Sequence, residues 1–325
     1  MTVQPNARAL ITGLGGFVGP HLARELAARG NQELFGSVCG SGLPAGLPLP
    51  REQISVCDIL DRSAVEDLVA RIKPHCIYHL AGKSDLGASW DEPEETMQTN
   101  VLGALNLIRA VLKFSPDCRL LFVSTAGVYG PMTVEEDSLG EDRPIAPPDP
   151  YSVSKASAEL LCLQYFGSHG LQVVVARPFN HIGPGQSARF LVGRVVKLIA
   201  EIESNVRLPV LTLGNLSARR DFTDVRDVVR AYRAIMGNGT AGQIYNISSG
   251  QDVEIRRVVE IAAGLCKVPV RLELDEDRKR PLDSSRLVGD SSRLRRLAGW
   301  EPKISIEQSI GDALDHARAS TGRGT

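Results

Sequence analysis

A chain of 325 residues with 43% hydrophobic and 23% charged residues can bury a substantial core, and its length suits two domains or one large α/β domain with an appendage. A formal net charge of −1 provides neither a basic footprint for nucleic acid nor a polybasic membrane segment, so small molecules and a second copy of the chain are the expected partners. The six cysteines (Cys39, Cys57, Cys76, Cys118, Cys162 and Cys266) form no C-x-x-C pair and have no histidine at ligand spacing, which argues against both a zinc site and a disulfide framework. "MTVQPNARALITG" lacks the pattern of a signal peptide, and no apolar run approaches the ~18 residues of a membrane span, so a cytoplasmic protein with reduced thiols is expected.

From Ala7 onward, short apolar runs alternate with longer amphipathic ones. "RALITG", "ELFGSVC", "HCIYHLAG", "RLLFVSTAG" and "LQVVVARP" read as strands, and "VCDILD" closes another. Between them "GPHLARELAARG", "RSAVEDLVARI", "TNVLGALNLIRAVLKF" and "SKASAELLCLQYFGSHG" read as helices. This alternation predicts an α/β fold with a doubly wound parallel sheet of the Rossmann kind. After Pro178 the regularity weakens. "FNHIGPGQ" is a Gly/Pro loop, "SARFLVGRVVKLIAEIE" a helix, "PVLTLGN" a strand, "RDFTDVRDVVRAYRAI" a loop and helix, and "QIYNISSG" a strand. Two helical patterns then flank a charged loop, "DEDRKRPLDSSR". The expected division is a dinucleotide-binding domain of residues 1–177 with about 222–250, and a smaller C-terminal substrate-binding domain of about 178–221 with 251–325. The cleft between them is the expected site.

The first strand runs into "TGLGGFVG", where Gly13, Gly16 and Gly19 flank Phe17 and Val18 before a helix. Glycines there let the turn tighten and the backbone approach a pyrophosphate at the positive end of the helix. The second strand should end in the residue that reads the ribose 2′ position, and here stand Cys39, Gly40 and Ser41. Without an acid the usual argument for NAD fails, and without an arginine so does that for NADP; NADPH is favoured and NADH allowed. Asp58, followed by Ile59, is placed to accept from the adenine amino group or is a surface-loop aspartate. "HLAGKS" ends the fourth strand with Leu80 and Ala81, small enough in part to let the cofactor approach, and Lys83 and Ser84 follow as candidate substrate contacts. His79 lies inside an apolar run and reads as a core histidine.

"FVSTAGVYG" places Thr125 at the carboxyl end of a strand, where α/β proteins put reactive groups. In "DPYSVSKASAEL" Tyr151 and Lys155 are four residues apart on one helical face, about 5–6 Å apart at Cβ. A cation about 4 Å from a phenol is worth roughly 4 kcal/mol at an effective dielectric of ~20, enough to bring it toward neutrality as a proton carrier. Thr125 and Tyr151 could then hold one substrate oxygen while Lys155 bridges the nicotinamide ribose.

Taken together, "TGLGGFVG", Thr125 and "YSVSK" resemble the extended short-chain dehydrogenase/reductase family over essentially the whole chain. "RPFNHIGPGQ" (177–186), "LGNLSARRDFTDVRDVV" (213–229) and "KRPLDSSRLVGDSSRLRRLAGWEP" (279–302) resemble the GDP-4-keto-6-deoxy-D-mannose reductases, which make GDP-D-rhamnose. The resemblance implies a GDP-linked keto-sugar as substrate, a homodimer built on helices near 95–113 and 152–166, and sugar-nucleotide contacts from Asn180, Arg220 and Arg280. Arginine forks suit pyrophosphate oxygens. Related dehydratases carry an Asp-Glu pair after the catalytic threonine, and this chain has Ala126 and Gly127. Elimination therefore has no evident catalyst, whereas reduction needs only hydride and a proton. A 4-epimerase that retains NAD, and a dinucleotide sensor that has lost its chemistry, are the competing readings.

Overall fold

The computed structural model describes residues 7–30, 32–40, 42–43, 46–274 and 286–321. The chain begins with β1 (Ala7–Thr12), α1 (Gly19–Ala27), β2 (Gln32–Val38), β3 (Ile54–Val56), α2 (Arg62–Ile72) and β4 (Cys76–His79). Two short helices, α3 (Ala88–Asp91) and α4 (Pro93–Met97), lead through a wide π-helical turn at Gln98–Leu102 into α5 (Gly103–Phe114). β5 (Arg119–Val123), α6 (Pro150–His169) and β6 (Val173–Pro178) follow. The second half comprises β7 (Asn180–Ile182), α7 (Leu191–Glu203), β8 (Val210–Leu213), β9 (Arg219–Asp224), α8 (Val225–Asn238) and β10 (Ile244–Ile247). It closes with β11 (Asp252–Glu254), α9 (Ile255–Gly264), β12 (Arg271–Leu274), β13 (Arg286–Leu287), α10 (Ser292–Ala298) and α11 (Ile306–Thr321).

Seven strands pair in the order β10-β6-β5-β4-β1-β2-β3, every pair parallel. This is the expected doubly wound sheet. Its apolar strands are buried on both faces, which is why they lack the alternation of a half-exposed sheet. One face packs on α1 and α8 through Leu22, Leu26, Tyr232 and Ile235, and the other on α2, α5 and α6 through Leu68, Leu107, Ile108 and Cys162. The strand order reverses between β1 and β4, and an α/β sheet opens a crevice at the carboxyl ends of such a pair.

β9 pairs with β7, β11 and β13, while β8 and β12 form a parallel pair beside α7, α9 and α11. "RDFTD" is therefore a strand and not the expected loop. Tertiary pairing overrides its charge: Asp221 is buried, but its carboxylate accepts from Ser249 N (2.8 Å), Ser249 Oγ (2.6 Å), Gly250 N (2.9 Å) and Gly289 N (3.3 Å). Asp227 plays a similar part on α8. It accepts from Lys303 N (2.7 Å) and Ile304 N (2.9 Å), and its carbonyl accepts from Trp300 Nε1 (3.0 Å). The tail thus divides, with Leu294 and Trp300 joining the core under α1 and α8 while α9 and α11 pack on α7. Among the described residues no helix is long and apolar enough to cross a membrane.

Candidate active site

Three strand ends converge at the crevice. Gly13 leaves β1 with φ +73°, and a Cβ there would lie 2.7 Å from Ala81 N and 2.9 Å from Leu80 C. The turn after β4 is therefore seated directly on the glycine turn, where Leu80 N donates to Thr12 O (3.2 Å) and Ala81 N to Thr12 Oγ1 (3.3 Å). At Gly19 a Cβ would enter the backbone of Leu14, so α1 starts hard against the turn, with Pro20 in its first turn and half-buried Val18 preceding it. Gly16 stays exposed above this N-terminus, a cradle of backbone that side chains would fill. Ser124 Oγ, at the end of β5, is buried without a protein partner among the described residues. These features fit a dinucleotide.

Cys39 stands exposed just past β2; Ser41, read with it, lies outside the described residues. Asp58 is exposed and caps its own turn by accepting from Leu60 N (2.9 Å). Ile59 is buried against Gly103, and its carbonyl accepts from Asn106 Nδ2 (3.1 Å). Pro178 ends β6, in register with Ile247. His79 is a core residue as expected. Thr12 Oγ1 lies 2.8 Å from its Nδ1, and burial pushes it down to about 3, so it is neutral.

α6 explains the opening of the tyrosine motif. Asp149 caps it, accepting from Ser152 N (2.8 Å) and Ser152 Oγ (3.0 Å), Pro150 occupies the first turn, and Gly170 closes it with φ +70°. Tyr151 then projects to Thr125, whose hydroxyl hydrogen-bonds the phenol and also accepts from Gly127 N (3.1 Å). The ionisation differs from the expectation. Burial pushes the Tyr151 phenol up to about 12; the Thr125 hydrogen bond opposes this and the Asp149 charge adds to it. Lys155 does not bring the phenol toward neutrality. Its Nζ lies over the Phe122 ring, 4.9 Å from the centroid, and burial lowers its pKa to about 8. Spacing along a helix says nothing about desolvation, and desolvation wins.

Asn180 and Arg220 come together. Asn180 pairs with Phe222, and Arg220 lies two residues before Phe222 on the same face of β9. Asn180 is exposed and Arg220 half-buried, its Nη1 donating to Arg219 O (2.9 Å). Ser84 is exposed, and Lys83 commits its ammonium to Glu92 (2.8 Å) and Glu95 (2.5 Å). Arg280 lies outside the described residues.

The structure adds residues that the motifs do not announce. Asn100, in the π-helical turn, accepts from Lys83 N (2.8 Å) and donates to Lys83 O (3.0 Å) and Ser154 Oγ (2.8 Å), clamping the loop after β4 to α6. Phe17 stacks on His181 (5.9 Å between centroids, 2°), and His21 Nε2 lies 2.9 Å from Pro184 O. The glycine turn and α1 are thereby tied to β7 and the loop that follows it. Arg194 and Arg207 line a cavity of about 300 Å³ beside β8.

A phenol and an ammonium one helical turn apart, facing a threonine at the end of β5 beside the switch point of such a sheet, belong to an extended short-chain dehydrogenase/reductase. Residues 10–313 match the family described as GDP-mannose 4,6 dehydratase, and the chain belongs to that family. It is 36% identical over 303 residues to the GDP-6-deoxy-D-mannose reductase of Pseudomonas aeruginosa, covering 93% of this chain and 94% of that one. Among solved structures it resembles RMD from Pseudomonas aeruginosa complexed with NADPH (34% identity, TM-score 0.85, 97% of this chain and 100% of that one). It also resembles the Thermus thermophilus UDP-glucose 4-epimerase in complex with NAD (27%, 0.86, 96% and 99%).

Proposed function

We propose that the chain reduces the 4-keto group of a GDP-linked 4-keto-6-deoxyhexose, GDP-4-keto-6-deoxy-D-mannose going to GDP-D-rhamnose. The observation that carries this is that the two residues after Thr125 bear no carboxylate that could serve an elimination. Ala126 and Gly127 stand there, and Asp149, the carboxylate that acts on Tyr151, has both oxygens engaged by Ser152. The similarity to a GDP-6-deoxy-D-mannose reductase supports the same reading.

Gly13, Gly16 and Gly19 would hold the pyrophosphate of NADPH, or of NADH with lower preference, with Cys39 and Asp58 toward the adenosine. A reduced nicotinamide bound there supplies hydride. Thr125 holds the carbonyl oxygen, and Tyr151 gives it a proton as negative charge develops. A phenol near 12 does not ionise at neutral pH, yet an alkoxide is far more basic and takes the proton readily. Asn180 and Arg220 would bind the sugar nucleotide, with the arginines beside β8 facing its base or phosphates. Exposed Leu102, Val153 and Leu160 on α5 and α6, or at their starts, support a homodimer through those helices.

Incubation with GDP-4-keto-6-deoxy-D-mannose and NADPH should consume one cofactor per sugar and yield a 4-hydroxy product identifiable by NMR, while GDP-mannose is left untouched. A 6-deoxy-4-keto product from GDP-mannose would replace this reading with dehydration. Turnover without added reductant would replace it with 4-epimerisation, the activity named for the Thermus relative.

Lys155 adds a pH dependence. Burial disfavours its ammonium, so the charge is complete below about pH 8 and is lost above it, earlier than the 10.5 of an exposed lysine. kcat/KM for NADPH should therefore fall above about pH 8. In Lys155→Arg, whose guanidinium stays protonated, that alkaline limb should disappear whatever the absolute rate. A limb at the same pH in both proteins would assign it to another group.

A further inference from the structure

Among the six thiols Cys39 is exposed and Cys57 is buried, and the β2–β3 ladder sets them side by side. The register runs Gly36↔Ile54, Ser37↔Ser55 and Val38↔Val56, and Cys57 N donates to Val38 O (2.9 Å), so the next row opposes Cys39 to Cys57. Parallel neighbours lie about 4.7–4.9 Å apart, inside the ~4.4–6.8 Å between Cα atoms that a disulfide spans. Cys39 is also near enough to raise the Cys57 thiol, as a minor cause beside burial. This row borders the glycine turn, because a Cβ at Gly15 would lie 3.4 Å from Val38 Cγ1, and Asp58 follows immediately.

We propose that Cys39 and Cys57 are a redox modification site, joined into a reversible disulfide by exchange with a low-molecular-weight disulfide, and that the bond closes the ribose end of the dinucleotide site. The second half of this rests on the dinucleotide reading above. In the first step the Cys39 thiolate attacks the disulfide RSSR, forming Cys39–S–SR and releasing RS⁻, which takes up a proton. The Cys57 thiolate then attacks Cys39 Sγ and expels the second RS⁻, which is protonated in turn. The protein gives up two electrons and two protons, and RSSR becomes two RSH. Burial, together with Asp61, Asp58 and Cys39, raises the Cys57 thiol to about 11, so ring closure is the slow step and quickens about tenfold per pH unit below that value. The bond would draw Cys39 and the turn at Gly40 (φ +116°) toward β3, across the edge where the 2′ position is read. A disulfide with one exposed partner is of the labile kind that thiols reduce.

The test is to expose the reduced protein to oxidised glutathione at mildly alkaline pH, map the peptides by mass spectrometry, and measure NADPH affinity before, after and on re-reduction. The expected result is a 39–57 cross-link without bound glutathione, a Kd for NADPH raised about tenfold or more, and full recovery with dithiothreitol. Cys57→Ala, or Cys57→Ser if alanine does not fold, should bind NADPH like the reduced wild type and give only the glutathione adduct on Cys39. An adduct without cross-link in the wild type, or a cross-link that leaves NADPH affinity unchanged, would overturn the proposal. Failure of the reduced protein to bind any dinucleotide would instead overturn the dinucleotide reading, with the cross-link still scored by mass.

Discussion

Tyr151→Phe is expected to bind NADPH as tightly as the wild type and to lose about 10²–10⁴-fold in kcat, the usual worth of a positioned general acid. The ring contributes packing at the start of α6, and phenylalanine keeps it. What disappears is the hydroxyl that meets Thr125 and the proton it carries. Because that phenol stays protonated to about 12, the wild-type rate should not fall below that pH through ionisation of Tyr151, and an alkaline limb near pH 8 belongs to Lys155. Stopped-flow measurement of one turnover, with cofactor affinity determined separately by fluorescence titration, isolates the chemical step. Near-normal turnover in the variant would remove Tyr151 from its assigned role.

Gly13→Ala should abolish measurable dinucleotide binding and lower the melting temperature. Two costs combine. An alanine at φ +73° carries roughly 1–2 kcal/mol of left-handed strain, and its Cβ would stand 2.7 Å from Ala81 N and 2.8 Å from Ala81 Cα. Those are backbone atoms pinned by the Thr12↔His79 register, so the β4 turn can move away only by breaking the crevice. Gly30→Ala is the control. That residue also has positive φ (+66°), at the end of α1, but a Cβ there meets nothing within 4 Å. It should lose only the strain, about 1 kcal/mol, and keep full NADPH affinity. Equal affinity in the Gly13 variant would mean that the turn does not hold the cofactor.

The strands, the glycine turn, Thr125 and the Tyr151–Lys155 pair were legible in the sequence because each is set by neighbours a few residues away. Asn100 was not legible, since its role depends on a π-helical turn and on partners 17 and 54 residues distant. The same holds for the Phe17–His181 stack and for Asp221 and Asp227, whose carboxylates find their partners only through long-range pairing. "RDFTD" was misread for that reason. The ionisation of Tyr151 was misjudged because spacing gives the distance to a charge but not the depth of the group. The Asn180 and Arg220 expectation follows from resemblance alone, and strand pairing supplies its geometry.

The seat of Gly127 bears on how activities in this family can interconvert. A Cβ at that position would fall on Ser152 Oγ, which is fixed in turn by the Asp149 cap. A glutamate introduced at 127 to restore an elimination catalyst would therefore collide with the first turn of the helix that carries Tyr151. The gain of a base would disturb the acid already present. A substitution at 127 is therefore expected to be coupled to the side chain at 152, because it requires Ser152 Oγ to leave the Asp149 cap.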